Sequence, residues 1–571
     1  MRGHRSQDSV YGKILALCAV FIMALALGAG CRDTAKNRAD APGAGSRGQL
    51  KPGARASSGA DGKVESKPGE RTKDMVMDKM EAGENDQFSS SPMIEPEPGH
   101  GLKPPNQDPY RDNFFESYGV NPFIAAEDEA FSTFGMDVDT AAYTVARRYI
   151  MGGNLPDKDS VRTEEFINYF KQSYPQSSGP FTIDVAGATS EFGNPNYHLL
   201  RIGVKANEVS LDRRKPANMV FVVDVSGSMD MENRLGLVKR SLRKLADHIK
   251  EGDRVGLVVY GSQGRVISEL TGDKKKILAA VDELVPEGST NAEEGITLAY
   301  DMMRRSMEPG KINRIILCSD GVANIGNTGA DVILKQVKSD ADKGITLTAL
   351  GFGMGNYNDV LMEKLADHGD GNYYYIDTDA EAARLFGGGA VSMLQVAGSD
   401  AKIQVEFNPK TVDRYRLLGY ENRRLEKEDF EDDSVDAGEV GAGQTVTALY
   451  ELRIKDTALA DSSNVNIATV RIRYRDIDTK KIVTNEKAVP LRDVSVPFEQ
   501  ASPRLRFTAA VAEFAELLKE SYWAKDGSYD AMLAVARSAV RDMESAAGAD
   551  EKEFIELAQA ARGIWARNTD D

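Results

Sequence analysis

Hydrophobic and polar positions alternate along this chain in two distinct ways. Between residues 215 and 398, short solid apolar runs alternate with helical stripes. Met219–Val223 is an unbroken apolar run, and Ile315-Ile316-Leu317-Cys318 is another. Such runs predict strands buried on both faces of a parallel sheet. After the first run, Leu235, Val238, Leu242, Leu245 and Ile249 recur at helical spacing. The same reading predicts strands over 254–260, 314–319, 346–351 and 373–376, an edge strand over 265–270, and helices over 274–285, 292–305, 330–343 and 380–394. Strands alternating with helices predict an α/β unit with a doubly wound, mostly parallel, Rossmann-like sheet flanked by helices.

On either side of this unit the period is two. Phe181, Ile183 and Val185 alternate, as do Leu200, Ile202 and Val204 in the stretch 179–214. Beyond Ser399, so do Ile403, Val405 and Phe407, then Val446, Ala448, Tyr450, Leu452 and Ile454, then Ala468, Val470, Ile472 and Tyr474, with a further candidate over 482–491. Two strands make no stable sheet by themselves, whereas a sandwich takes about seven. The leading pair is therefore expected to pair with strands of 399–495 in one antiparallel β domain, with the α/β unit (215–398) inserted in or next to it. Residues 110–178 open with an aromatic-rich loop and carry two helical patterns. One starts near Asp139 as an N-cap and stops at Gly152-Gly153; the other shows Val161, Phe166, Ile167 and Phe170. Three more helical patterns fill 496–571, marked by Phe507, Val511, Phe514 and Leu518, by Leu533, Ala536 and Val540, and by Phe554, Leu557 and Trp565.

The candidate chemistry sits where the apolar runs end. Asp224-Val225-Ser226-Gly227-Ser228 follows the first run, Asp320 follows the second, and Thr290 lies in the loop Gly288–Asn291 before a helix. Crevices at the carboxyl ends of parallel strands are where α/β sheets bind ligands, and hard cations such as Mg²⁺ take oxygen ligands. These residues, in this order, resemble the von Willebrand factor type A (VWA) domain and its metal-ion-dependent adhesion site: Asp-x-Ser-x-Ser, then a Thr, then an Asp. The resemblance implies that Ser226, Ser228 and Thr290 coordinate Mg²⁺ (or Mn²⁺ or Ca²⁺), with Asp224 and Asp320 acting mostly through water. The stretch from Met136 to Tyr143, Asn154-Leu155-Pro156, the run Glu164–Phe170 and the phrases Val435–Glu439 and Val446–Glu451 resemble a family of bacterial VWA lipoproteins, over roughly residues 115–565. Three features are read more plainly. Asp137 and Asp139 are taken as a helix cap and a solvated acid, and the acidic run 428–439, without EF-hand spacing, as a solvated loop. Gly351-Phe352-Gly353-Met354-Gly355 is taken as a tight strand-to-helix turn, since its third Gly comes too early for a dinucleotide loop.

Residues 1–31 read as an export signal: a basic start, the mostly apolar run Ile14–Leu27, then Gly28-Ala29-Gly30-Cys31. Small residues before Cys31 resemble a bacterial lipobox, in which that Cys is lipidated; Leu27 stands one place early, and an ordinary signal peptide is the alternative. Arg32 rather than Asp after Cys31 favours an outer membrane. In 32–108, Gly, Pro and Ser fill 25 of 77 positions, a composition expected of a disordered tether. The formal charge of −17 argues against a nucleic-acid backbone as partner. The three cysteines, Cys18, Cys31 and Cys318, imply no structural disulfide and no zinc cluster.

The function expected is an envelope-anchored, metal-dependent adhesion or assembly module. Its partner would be an envelope protein that offers an acidic side chain, with membrane contact through Cys31. No small-molecule substrate is expected, and no enzymatic activity. The alternatives are a metal-assisted hydrolase and a structural envelope scaffold. The first, a metal-activated water, would need a general base and a substrate pocket, and no Ser-His-Asp set, P-loop or His-Glu metal motif is present.

Overall fold

The computed structural model describes residues 113–570, apart from 177–178, 194–195, 232–233, 322–329, 356, 436, 461–464 and 544–545. The segments read from sequence as an export signal, with Cys18 and Cys31, and as a tether lie outside the described residues.

The α/β unit is a six-stranded sheet in the order Tyr373–Ile376, Ile345–Phe352, Ile312–Ser319, Ala217–Asp224, Arg254–Tyr260, Gly264–Thr271. All neighbours are parallel except the last, an antiparallel edge strand. The central strand Ala217–Asp224 is buried along its whole length. Its side chains divide between two cores, as the strand pleat requires. Val220 and Val222 join the helices Ala292–Ser306, Ala330–Ala341 and Asp359–His368 on one face. Met219, Phe221 and Val223 join Leu235–Ala246 and Lys274–Asp282 on the other. The closing helix differs from the single run over 380–394 expected from periodicity. It is broken into Asp379–Ala383, a π turn Arg384–Gly388 and Ala390–Leu394. The run Gly387-Gly388-Gly389 interrupts it, since glycine is among the weakest helix formers.

The chain leaves a β-sandwich at Ala206 and re-enters it at Val396. One sheet runs Ile124–Ala125, Val412–Leu418, Thr445–Ile454, Tyr197–Ala206, Phe181–Thr189. Thr445–Ile454 pairs antiparallel with Tyr197–Ala206, with Ala448 opposite Ile202. The other sheet runs Arg424–Leu425, Phe131–Gly135, Val396–Phe407, Asn466–Asp476, Ile482–Pro490. Ile202, Val204, Val446 and Tyr450 from the first share one core with Ile403, Val405, Ile472 and Tyr474 from the second. The N-terminal segment, read from sequence as loop and helix, thus also supplies two strands. Phe131–Gly135 pairs along Val396–Phe407, from Glu406 to Lys402. Its two phenylalanines flank Ser132-Thr133, which gives too short an alternation to stand out.

Helix Ala141–Met151 bridges the two halves. Ala141, Val145 and Tyr149 enter the core of the α/β unit, while Tyr143, Ala146 and Ile150 pack with Phe166, Phe170 and the C-terminal helices. Those helices span Pro503–Leu518, Tyr529–Asp542 and Ala549–Asp570. Trp565, expected in their apolar stripe, is half-exposed and leans on Tyr529. Among the described residues, no helix is long and apolar enough to cross a membrane.

Asp137 and Asp139 differ from their expected roles. The N-cap of Ala141–Met151 is Thr140, without a side-chain bond, and the free Ala142 N–H donates to Glu165 Oε2 at 2.7 Å. Asp139 is buried and accepts from the Tyr373 N–H at 3.0 Å. Asp137 accepts from Asp139 N–H at 2.8 Å and pairs with Arg423 at 3.3 Å. The acidic run starts with the 3₁₀ turn Glu428–Phe430. It is ordered around the buried Lys402, whose ammonium donates to the carbonyls of Asp429 and Asp432 at 2.8 and 2.6 Å.

Candidate metal centre

Strand register sets the site. Ala217–Asp224 and Ile312–Ser319 run in parallel with Val223 opposite Cys318, so both chains end at one level. Asp224 is therefore beside Ser319, whose hydroxyl donates to Asp224 Oδ2 at 3.1 Å. Asp224 Oδ1 accepts from the Ser226 N–H at 2.8 Å, which curls the chain back over the strand end. The turn Gly227–Asp230 follows. Ser226 Oγ and Ser228 Oγ stand 3.0 Å apart; Ser226 is buried and Ser228 exposed.

Two backbone hydrogen bonds fasten the Thr290 loop to this turn. Gly227 N–H donates to Gly288 O at 3.0 Å, and Glu287 N–H to Val225 O. Gly288 sits at φ +64°, and an added Cβ would lie 1.8 Å from Ser262 Oγ, so only glycine fits there. Thr290 is half-buried just before Asn291, which caps helix Ala292–Ser306 through the Glu294 N–H.

Asp320 completes the cluster. Burial raises its carboxyl above the ordinary range, against the pull of Arg234 and of a hydrogen bond from Ser228. Burial, then the facing charge of Asp320, pushes the Asp224 carboxyl up to about 6. The charge of Asp320 thus bears on Asp224, which has no cation paired to it among the described residues. The hydroxyl spacing also suits an ion. Ligands at about 2.1 Å from Mg²⁺ in octahedral geometry sit about 3.0 Å apart when adjacent. Ser226 and Ser228, with Thr290 on the loop fastened beside them and Asp224 and Asp320 behind, offer an oxygen set whose hydroxyl spacing would suit a small divalent cation.

Two contributors escaped the sequence reading. Ser319 was counted only as strand. Arg234 was passed over as the residue before a helical stripe, yet its guanidinium ion-pairs with Asp320 and both side chains are about 5% exposed. A signal existed: a cation at a helix start opposes the helix dipole, so an arginine there needs another reason.

The fold and these strand-end loops define a VWA domain. Residues 218–387 match the von Willebrand factor type A domain, 109–201 match a second family described as von Willebrand factor, and 392–564 match the C-terminal domain of the uncharacterized protein YfbK. The chain belongs to the YfbK family of VWA proteins. It is 35% identical over 476 residues to the uncharacterized protein YfbK of Escherichia coli K12, across 79% of this chain and 81% of that one. An uncharacterized Synechocystis protein is 30% identical over 213 residues, 37% of this chain and half of its own length. A solved von Willebrand factor type A structure from Catenulispora acidiphila aligns at 17% identity over 68% of this chain and 92% of that one, with a TM-score of 0.39.

Proposed function

We propose that the chain is an envelope-anchored protein-binding module in which a divalent ion, Mg²⁺ or alternatively Mn²⁺ or Ca²⁺, captures a carboxylate of a partner protein. The observation that carries this reading is the pair of hydroxyls 3.0 Å apart between two buried carboxylates at the strand ends. Ser226, Ser228 and Thr290 would hold the ion, and Asp224 and Asp320 would balance its charge. When bound, the ion supplies an electrophilic position that neutral hydroxyls leave short of negative charge. Ser228 is exposed, which gives a partner's acidic side chain access from solvent. The protein's own groups orient and do not react. Asp224 is tied by Ser226 and Ser319, Asp320 is tied by Arg234, and the described histidines lie on Tyr197–Ala206, just beyond helix Leu235–Ala246, and at the end of Asp359–His368. We read the site as a recognition surface rather than a catalytic one. Lipidation of Cys31 would hold the module at a membrane, with an outer membrane favoured.

Crosslinking in the native envelope tests the reading, comparing wild type with and without EDTA and with Asp224→Ala. A captured protein that disappears both on chelation and in the variant supports it. Capture that survives both contradicts it.

A further inference from the structure

Arg234 is built into the centre in a way that the metal set alone does not require. It is 5% exposed, and burying a guanidinium is expensive unless it is fully paired. Its Nη1 donates to the Ser228 carbonyl at 2.8 Å and to Asp320 Oδ2; its Nη2 donates to the Met354 carbonyl. Three loops meet on this one side chain: the serine turn, the Asp320 turn and the turn Gly353-Met354-Gly355.

That last turn is shaped for it. Gly353 and Gly355 sit at φ +76° and +92°. A Cβ on Gly353 would lie 2.5 Å from Arg234 Nε and 2.6 Å from its Cγ. The glycine-rich stretch after strand Ile345–Phe352 is therefore the seat of an arginine. Two of the three acceptors are backbone carbonyls, so the guanidinium stays in place even if Asp320 turns toward an ion.

We propose that Arg234 is a resident cation of the metal centre, which weakens binding of the ion alone and makes ion and partner carboxylate bind cooperatively. This rests on the metal-binding reading above. With both acids ionised and Arg234 in place, these side chains carry one net negative charge. A divalent ion turns that into one net positive charge, which a single carboxylate then neutralises. Without Arg234, the ion alone would already neutralise the site, and an added carboxylate would gain little. Linkage requires the effect to be mutual, so a carboxylate that prefers the loaded site must tighten the ion by the same factor.

The test titrates Mn²⁺ into the full chain, with and without sodium acetate as a minimal carboxylate, and reads free Mn²⁺ by electron paramagnetic resonance. In Arg234→Met, Mn²⁺ should bind about tenfold tighter than in wild type without acetate, since one like charge a few ångströms away is removed. Acetate should tighten Mn²⁺ in wild type and leave Arg234→Met unchanged. Arg234→Lys, which keeps the charge but not the fork, should recover part of the acetate effect. Gly353→Ala unseats the guanidinium without touching a charged group. It should move both readouts in the direction of Arg234→Met, and it serves where the methionine variant fails to fold. Equal or weaker Mn²⁺ binding in the folded variants, or an undiminished acetate effect, overturns the proposal while leaving the metal reading standing. Wild type that takes up no Mn²⁺ at millimolar concentration overturns both.

Discussion

Two clusters of buried acids serve opposite ends in this molecule. At the strand ends of the VWA domain, Asp224 and Asp320 have hydroxyls around them and a single fixed cation, and one member of the cluster, Ser228, opens to solvent. At the junction between helix Ala141–Met151, the VWA domain and the sandwich, each acid is paired with an arginine. Arg162 pairs with Glu165, with Asp359 at 3.0 Å and with Glu363 at 3.7 Å. Arg423 pairs with Asp137, Asp139, Glu363 and Asp367. The first cluster leaves Asp224 without a paired cation among the described residues and is accessible through Ser228, as a ligand site must be. The second is largely buried, with two arginines shared among six acids, and it fastens segments far apart in sequence. Neither acid content nor the count of fixed cations tells them apart; the access to solvent through the hydroxyls, and the direct pairing of every junction acid, do.

The largest expected effect comes from cutting the molecule across that junction. A fragment of residues 400–571 loses Phe131–Gly135, Phe181–Thr189 and Tyr197–Ala206, which leaves the rest of Val396–Phe407 and Thr445–Ile454 each unpaired along one edge, with Asn466–Asp476 and Val412–Leu418 on the other. It should show no cooperative melt. A native-like β signal with a sharp transition would mean that the sandwich is self-contained.

Next comes Arg423→Met, which leaves four acids facing one another without their shared guanidinium. Breaking a buried pair on one side typically costs about 3–5 kcal/mol. Calorimetry should show a drop of that order in the whole-chain transition, whereas Asp224→Ala, at the accessible cluster, should leave the fold intact.

A smaller and pH-dependent effect sharpens the contrast. Glu164 is fully buried and neither carboxyl oxygen has a hydrogen-bond partner among the described residues; burial, then Glu421, raises it to about 8. The folded chain holds this proton more tightly than the unfolded chain. Wild type therefore loses stability from this group as pH rises from about 4.5 to about 8, at up to about 1.4 kcal/mol per pH unit, and the loss is complete above that window. Glu164→Gln should match wild type near pH 4.5 and exceed it increasingly toward pH 8 in denaturant melts. A difference that does not change with pH would show that Glu164 is ionised in the fold.

These two clusters also mark what a sequence can reveal. The VWA sheet was legible because solid apolar runs and helical stripes are local signals, and because the strand ends carry their acids and hydroxyls within a few residues. The junction was not. Arg147 reaches Asp377 across 230 positions, and Arg423 reaches Asp137 across 286, so Asp137 and Asp139 looked like a solvated acid and a helix cap. Arg234 was hidden for a related reason: its seat at Gly353 lies more than a hundred residues downstream. The glycine-rich stretch was visible, but the side chain it accommodates was not.

The proposed function depends on an ion at the VWA strand ends. Calorimetric titration of Mg²⁺ and Mn²⁺ into the purified chain, wild type against Asp224→Ala, measures it most directly. Saturable binding in wild type, lost in a variant that keeps its circular dichroism spectrum, is the predicted result. Equal affinity in the two proteins, or no binding in wild type, would contradict it.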